Sequence, residues 1–150
     1  MQSSPTEETV VVVDGSNAAA GGGCRLPSLA RLLAVRATAL AKWPTANVIV
    51  VVDANLRHKF CKEDQEKMAR MCGTGEIIAA PSSTVGNGDA VLLAIAASCD
   101  SKIVSNDAFR EHVDEYPFLT DDERVFGIVS VDGMETLLVL RKLGASGARL

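Results

Sequence analysis

The chain has 150 residues, which suits one domain with a buried core. Hydrophobic residues make up 47% and aromatic residues only 4%, so the core must be built from Val, Ala, Leu and Ile, as in a parallel sheet of buried strands under Ala-rich helices. The formal net charge of −4 argues against a uniformly basic nucleic-acid-binding surface, and no apolar run reaches membrane-spanning length.

The start, MQSSPTEET, is polar and lacks the basic and apolar regions of a signal peptide. Residues 1–8 read as a flexible lead, and the protein is expected inside the cell, in the cytoplasm. Thr9–Val13 is a continuous β-branched run, hence a buried strand. Residues 14–24, DGSNAAAGGGC, read as a Gly/Ala-rich turn. Pro27 sits near a helix start, and Leu26–Trp43 carries Leu29, Leu32, Leu33 and Leu40 at helical spacing before Pro44 stops it. Asn47–Val52 is a second buried strand that ends at Asp53. Glu63–Cys72 reads as an exposed charged helix closed by Gly73, and Glu76–Ala79 as a short third strand. After the loop APSSTVGNG (80–88), Asp89–Ser98 is an Ala/Leu-rich helix expected to lie against the sheet. Lys102–Ser105 gives a fourth strand. Asp107–Glu115 is expected to begin a helix capped by Asn106 or Asp107. Arg124–Val131 is a fifth strand, and Met134–Leu143 a last helix ended by Gly144, with a frayed tail over 144–150. Strand alternating with helix predicts a three-layer α/β/α domain over residues 9–143, with a mostly parallel five-stranded sheet and right-handed crossovers.

In such a sheet the strand ends meet at one edge, where ligands bind. Asp14, Asp89, Asp107 and Glu111 all fall at those ends. Like charges gathered there are costly unless a cation neutralises them, and a hard divalent ion, Mg²⁺ with Mn²⁺ as a substitute, matches carboxylate ligands. That points to metal-assisted phosphodiester chemistry. Each acid also has a plainer reading. Asp14, followed by Gly15, Ser16 and Asn17, suits a turn former. Asp89 suits compensation of a helix dipole. Arg110 is available as an ion-pair partner for Asp107 and Glu111, and Ser105 and Asn106 either orient carboxylates or phosphate or cap a helix. Asp53 reads as a turn residue at the edge of the same crevice. The stretch LRHKFCK (56–62) places Arg57 and Lys59 where they would meet phosphates, with Phe60 either stacking on a base or turned into the core. The four cysteines and two histidines form no zinc pattern, and no P-loop, GxGxxG or GxSxG segment is present.

Taken together, VVVDGSN, GNGDAVLLAIAAS and KIVSNDAFREH, with RVFGIV downstream, resemble the PIN-like NYN domain of Regnase-type ribonucleases over about residues 10–131. The resemblance implies a Rossmann-like PIN fold and an Mg²⁺-dependent ribonuclease acting on single-stranded or loop RNA. It implies that Asp14, Asp89, Asp107 and Glu111 hold metal, with Asn17 beside Asp14 completing the catalytic set. Ser16, Arg57, Lys59, Ser105, Asn106 and Arg110 are the residues expected to meet RNA. Family members often show two adjacent aspartates before the middle helix, and here the first is Gly88. The fourth acid is Glu111 rather than Asp. The stretch between the second strand and the middle helix is shorter and less basic than in the family, so RNA affinity is expected to draw on other domains or partners. Self-association into a homodimer also follows from the resemblance alone.

The resulting expectation is an endoribonuclease that leaves 5′-phosphate and 3′-hydroxyl ends by in-line attack of a metal-activated water. Its rival is a degenerate PIN-like domain that binds RNA or protein without cutting. A structure-specific DNA nuclease would need a helical arch or duplex-binding module that 150 residues leave no room for, and a small-molecule phosphohydrolase is the weakest alternative.

Overall fold

The computed structural model describes residues 9–20, 26–81, 87–121, 123–131 and 135–140. The predicted lead, the tail, the last part of the DGSNAAAGGGC segment and most of the 80–88 loop lie outside the described residues.

Six strands, β1 (Val10–Asp14), β2 (Asn47–Val52), β3 (Ile77–Ala79), β4 (Lys102–Val104), β5 (Val125–Val131) and β6 (Glu135–Leu140), form one sheet in the order β3-β2-β1-β4-β5-β6. The first five run parallel and β6 is antiparallel to β5. The central strand explains the β-branched run at the start of the chain. Val11 and Val13 pack on one face with α1 (Gly15–Ala20), α2 (Leu29–Lys42) and Met68 of α3 (Lys62–Gly73). Val12 packs on the other with Leu92, Leu93 and Ala96 of α4 (Asn87–Cys99), and with Phe109 and Leu119. Strands covered on both faces have no solvent side, so they read as apolar runs rather than alternating ones. The strand order reverses direction between β1 and β4. That pair is the topological switch point, and the crevice at its carboxyl edge is where an open α/β sheet binds ligands.

Three predicted elements are corrected. The segment after β1 is not all turn: Gly15–Ala20 is a helix, favoured by its alanines and tied to α2 by Arg31. That side chain donates to Ala19 O at 3.1 Å and Leu26 O at 2.8 Å. No α-helix runs from Asp107 to Glu115; the chain there makes only a one-turn 3₁₀ helix, Arg110–His112. Phe109 stands at φ 52°, ψ 38°, a left-handed conformation that no α-helix contains. The expected last helix is a strand instead. The apolar run LLVL fits either period, and the short span from Val131 to Glu135 lets it fold back on β5, with Val129 opposite Leu137. Among the described residues no helix is long and apolar enough to cross a membrane.

Candidate active site

Asp14 is the last residue of β1, beside the switch point, and only 7% exposed. Its Oδ2 accepts the Ser105 hydroxyl at 2.7 Å and its Oδ1 accepts the Asn17 N–H at 3.2 Å. Burial pushes this carboxyl up from 3.8 to about 6; the bonds from Ser105 and Asn17 work against the rise, and the charges of Asp89 and Asp107 add to it. The turn out of the strand is tight. A Cβ on Gly15 would lie 2.6 Å from Val52 Cγ1 and 2.7 Å from Val50 Cγ1, so α1 starts flush against β2.

Ser105 follows β4 and is fully buried. Its oxygen also accepts the Asp107 N–H at 3.0 Å, so one hydroxyl links the backbone of Asp107 to the carboxylate of Asp14. Asn17 Oδ1 accepts the Asn106 N–H at 2.9 Å, a second latch between the ends of β1 and β4. The Asn106 side chain is bound to β5, accepting the Ile128 N–H at 2.7 Å and donating to Ile128 O at 3.0 Å. Asp107 is exposed, and its Oδ1 accepts the Phe109 N–H at 2.8 Å. This local bond replaces a helical turn and supports the left-handed Phe109, whose ring is buried against α4 and the sheet. Asp107 and Glu111 therefore do not share a helix face as predicted, yet both charges still reach Asp89.

Asp89 lies in the first turn of α4 and its pKa is raised, by burial first and then by Asp107, with Asp53 and Glu111 adding and His112 opposing. Asp89 and Asp107 thus lie within electrostatic reach of Asp14, and Asp107 and Glu111 within reach of Asp89. Two further residues join them. His112 gave no signal, because its place depends on the irregular turn after Phe109. Asp53 was readable: it follows β2, the neighbour of β1, and so ends at the same edge.

The basic residues stand on the short helices that follow β2 and β4 in the chain. Arg57 and Lys59 are exposed on a one-turn helix, Leu56–Lys59, and Arg110 is exposed on the other. Phe60 is buried, in the core rather than on a stacking surface. Arg57 lines a cavity of about 250 Å³ with Ala54, Met68 and Cys72.

Oxygen donors of this kind suit a hard cation. Among the described residues no three acidic, His or Cys side chains close on a single point tightly enough to ligate one ion directly. A buried carboxylate and a half-buried one, each raised by burial and by neighbouring acids, are the electrostatic condition a cation relieves.

The family model described as the Zc3h12a-like ribonuclease NYN domain matches residues 7–127. No curated protein matches the sequence. Among solved structures, a crystal structure of nuclear proteinaceous RNase P 2 (PRORP2) from A. thaliana is similar at a TM-score of 0.73 and 17% identity. It covers 90% of this chain and 30% of that one. A second structure of the Arabidopsis thaliana nuclear protein-only RNase P 2 gives 0.71 at 18% identity, with the same coverage. At those identities the likeness is one of fold. The chain spans less than a third of the length of the proteins it resembles.

Proposed function

The chain belongs to the Zc3h12a-like ribonuclease NYN domain family, and from that premise we propose that it is a divalent-metal-dependent endoribonuclease that hydrolyses single-stranded or loop RNA to 5′-phosphate and 3′-hydroxyl ends. The carrying observation is that Asp14, buried at the end of β1, has its carboxyl raised by burial and further by the charges of Asp89 and Asp107. These three, with Glu111 outermost, would hold Mg²⁺, or Mn²⁺ in its place. The ion, when bound, supplies charge neutralisation at the scissile phosphate and a more acidic water.

The chain's own residues do the rest. Ser105 donates to Asp14 and so favours its ionised form. Because Ser105 is buried, its part is orientation rather than RNA contact. Asn17 and Ser105 together hold the Asp107 turn against β1. The Asn106 amide is engaged by β5, which makes it a bracket for that turn. Arg57, Lys59 and Arg110 are exposed and would meet RNA phosphates; for a chain of net charge −4, local patches, not the total, set phosphate binding.

A second reading, an RNA-binding domain without cleavage, is favoured by Gly88, which brings no carboxylate. One assay separates the two. A fluorescent single-stranded RNA is incubated with the chain in Mg²⁺, Mn²⁺ or EDTA, alongside Asp14→Asn and Asp107→Asn. Cleavage that needs metal and is lost in both variants supports the nuclease. Cleavage that survives both places the chemistry elsewhere. RNA bound but uncut supports the second reading.

A further inference from the structure

Gly88 and Asp53 explain one another. The Gly88 N–H donates to Asp53 Oδ1 at 2.8 Å. A Cβ built on Gly88 would lie 2.8 Å from that same oxygen and 3.4 Å from the Asp53 nitrogen, closer to the oxygen than real Cβ atoms come. The other end of Asp53 is fixed as well, since its N–H donates to Ser16 Oγ at 2.9 Å. Ser16 is two residues past Asp14, and Gly88 immediately precedes Asp89. One residue at the end of β2 therefore bridges the start of α1, on one face of the sheet, to the start of α4, on the other.

We propose that Asp53 is a positioning residue of the site: its carboxylate occupies the space a side chain on residue 88 would fill, and through the Gly88 N–H it fixes where α4 begins and so where Asp89 stands relative to Asp14. The glycine is then not a lost acid but the complement of an acid supplied from the neighbouring strand. A hydroxyl–amide–carboxylate relay of this kind holds distance better than packing alone, because each bond is directional. Placing a reacting group by such a relay matters, since small displacements of a site group cost large factors in rate.

The kinetic part of the test rests on the nuclease reading; the structural part does not. Asp53→Ala removes the acceptor, and Asp53→Asn keeps it through the amide oxygen. In cleavage assays on the full chain, Asp53→Ala should lower kcat on the order of 10- to 100-fold with KM for RNA nearly unmoved, and Asp53→Asn should recover most of that loss. Gly88→Asp alone should lower kcat by crowding Asp53, while Asp53→Ala combined with Gly88→Asp should be more active than either single variant. By NMR, the Gly88 and Asp89 amide signals should move in Asp53→Ala and stay near wild type in Asp53→Asn. Unmoved amide signals in folded Asp53→Ala would overturn the proposal, as would equal kcat in wild type and Asp53→Ala. A double variant no better than the singles would overturn the claim about the space at residue 88. If the wild type cuts no RNA, the nuclease reading fails, and the amide signals alone decide the positioning role.

Discussion

Asp14→Asn should make the protein more stable while destroying the proposed site, and the amount can be worked out. Burial and the neighbouring acids lift this carboxyl from 3.8 to about 6. At 1.36 kcal/mol per pKa unit, charging Asp14 in the fold costs about 3 kcal/mol more than in the unfolded chain. The sign follows from proton binding. Between those two pKa values the folded chain holds a proton that the unfolded chain has released, so stability falls as pH rises through the window. The penalty is absent below pH 3.8, complete above about 6, and present at neutral pH. Asparagine cannot charge and still accepts the Asn17 N–H, so it resembles the protonated acid. In EDTA at pH 7.5 the variant should gain up to about 3 kcal/mol, roughly 6–12 °C in Tm for a domain of this size. Near pH 4 most of that gain should vanish. Adding Mg²⁺ should stabilise the wild type and narrow the gap. Thermal unfolding of both proteins at the two pH values, with and without metal, checks each step. A variant less stable than wild type at pH 7.5, or a gap equal at both pH values, would refute the claim that charging Asp14 carries the cost.

Ser105→Ala removes the hydroxyl that serves both Asp14 and Asp107, so the acid limb of the pH–rate profile should move to higher pH and cleavage at pH 7 should fall about tenfold, a charge-assisted bond being worth about 1.5–3 kcal/mol; an unmoved acid limb would count against it. Gly15→Ala forces a methyl into Val50 and Val52, and denaturant titration should show a loss of about 1–3 kcal/mol from overpacking. Asn106→Ala breaks both bonds to Ile128; unfolding should show a loss of about 1–2 kcal/mol, with RNA affinity, measured by anisotropy, changed far less than by Arg57→Ala.

What the residue pattern disclosed and what it concealed divide along a physical line. The parallel strands were legible because burial on both faces leaves an unbroken apolar run, as in the strand before Asp14. The acids at strand ends were legible because strand order alone brings those ends together. The last strand was not, since its short apolar run has no period that excludes a helix, and its pairing with β5 is a long-range choice. The Asp107–Glu115 stretch misled for the opposite reason. Its expected caps are engaged elsewhere: the Asn106 side chain bonds Ile128 and the Asp107 carboxylate bonds the Phe109 N–H, while burial of the Phe109 ring offsets a left-handed backbone that costs on the order of 1–3 kcal/mol. No local propensity scale contains that trade, and His112 reaches Asp89 only because of it.

The same trade recurs across the crevice. Asp14 is buried at a cost, Phe109 is held in a strained turn, and Asp53 adds a further negative charge beside Asp89. A fold selected for stability alone would replace each of them. Their shared location at the switch point is what separates a functional reading from three unrelated defects, because a single bound cation would relieve the carboxylates together. That coupling has a measurable form. Stabilisation by Mg²⁺ should be largest where all these acids are ionised and should shrink as pH falls through about 6, whereas an ion bound to unrelated surface acids, with carboxyls near their ordinary range, would keep its effect down to about pH 4.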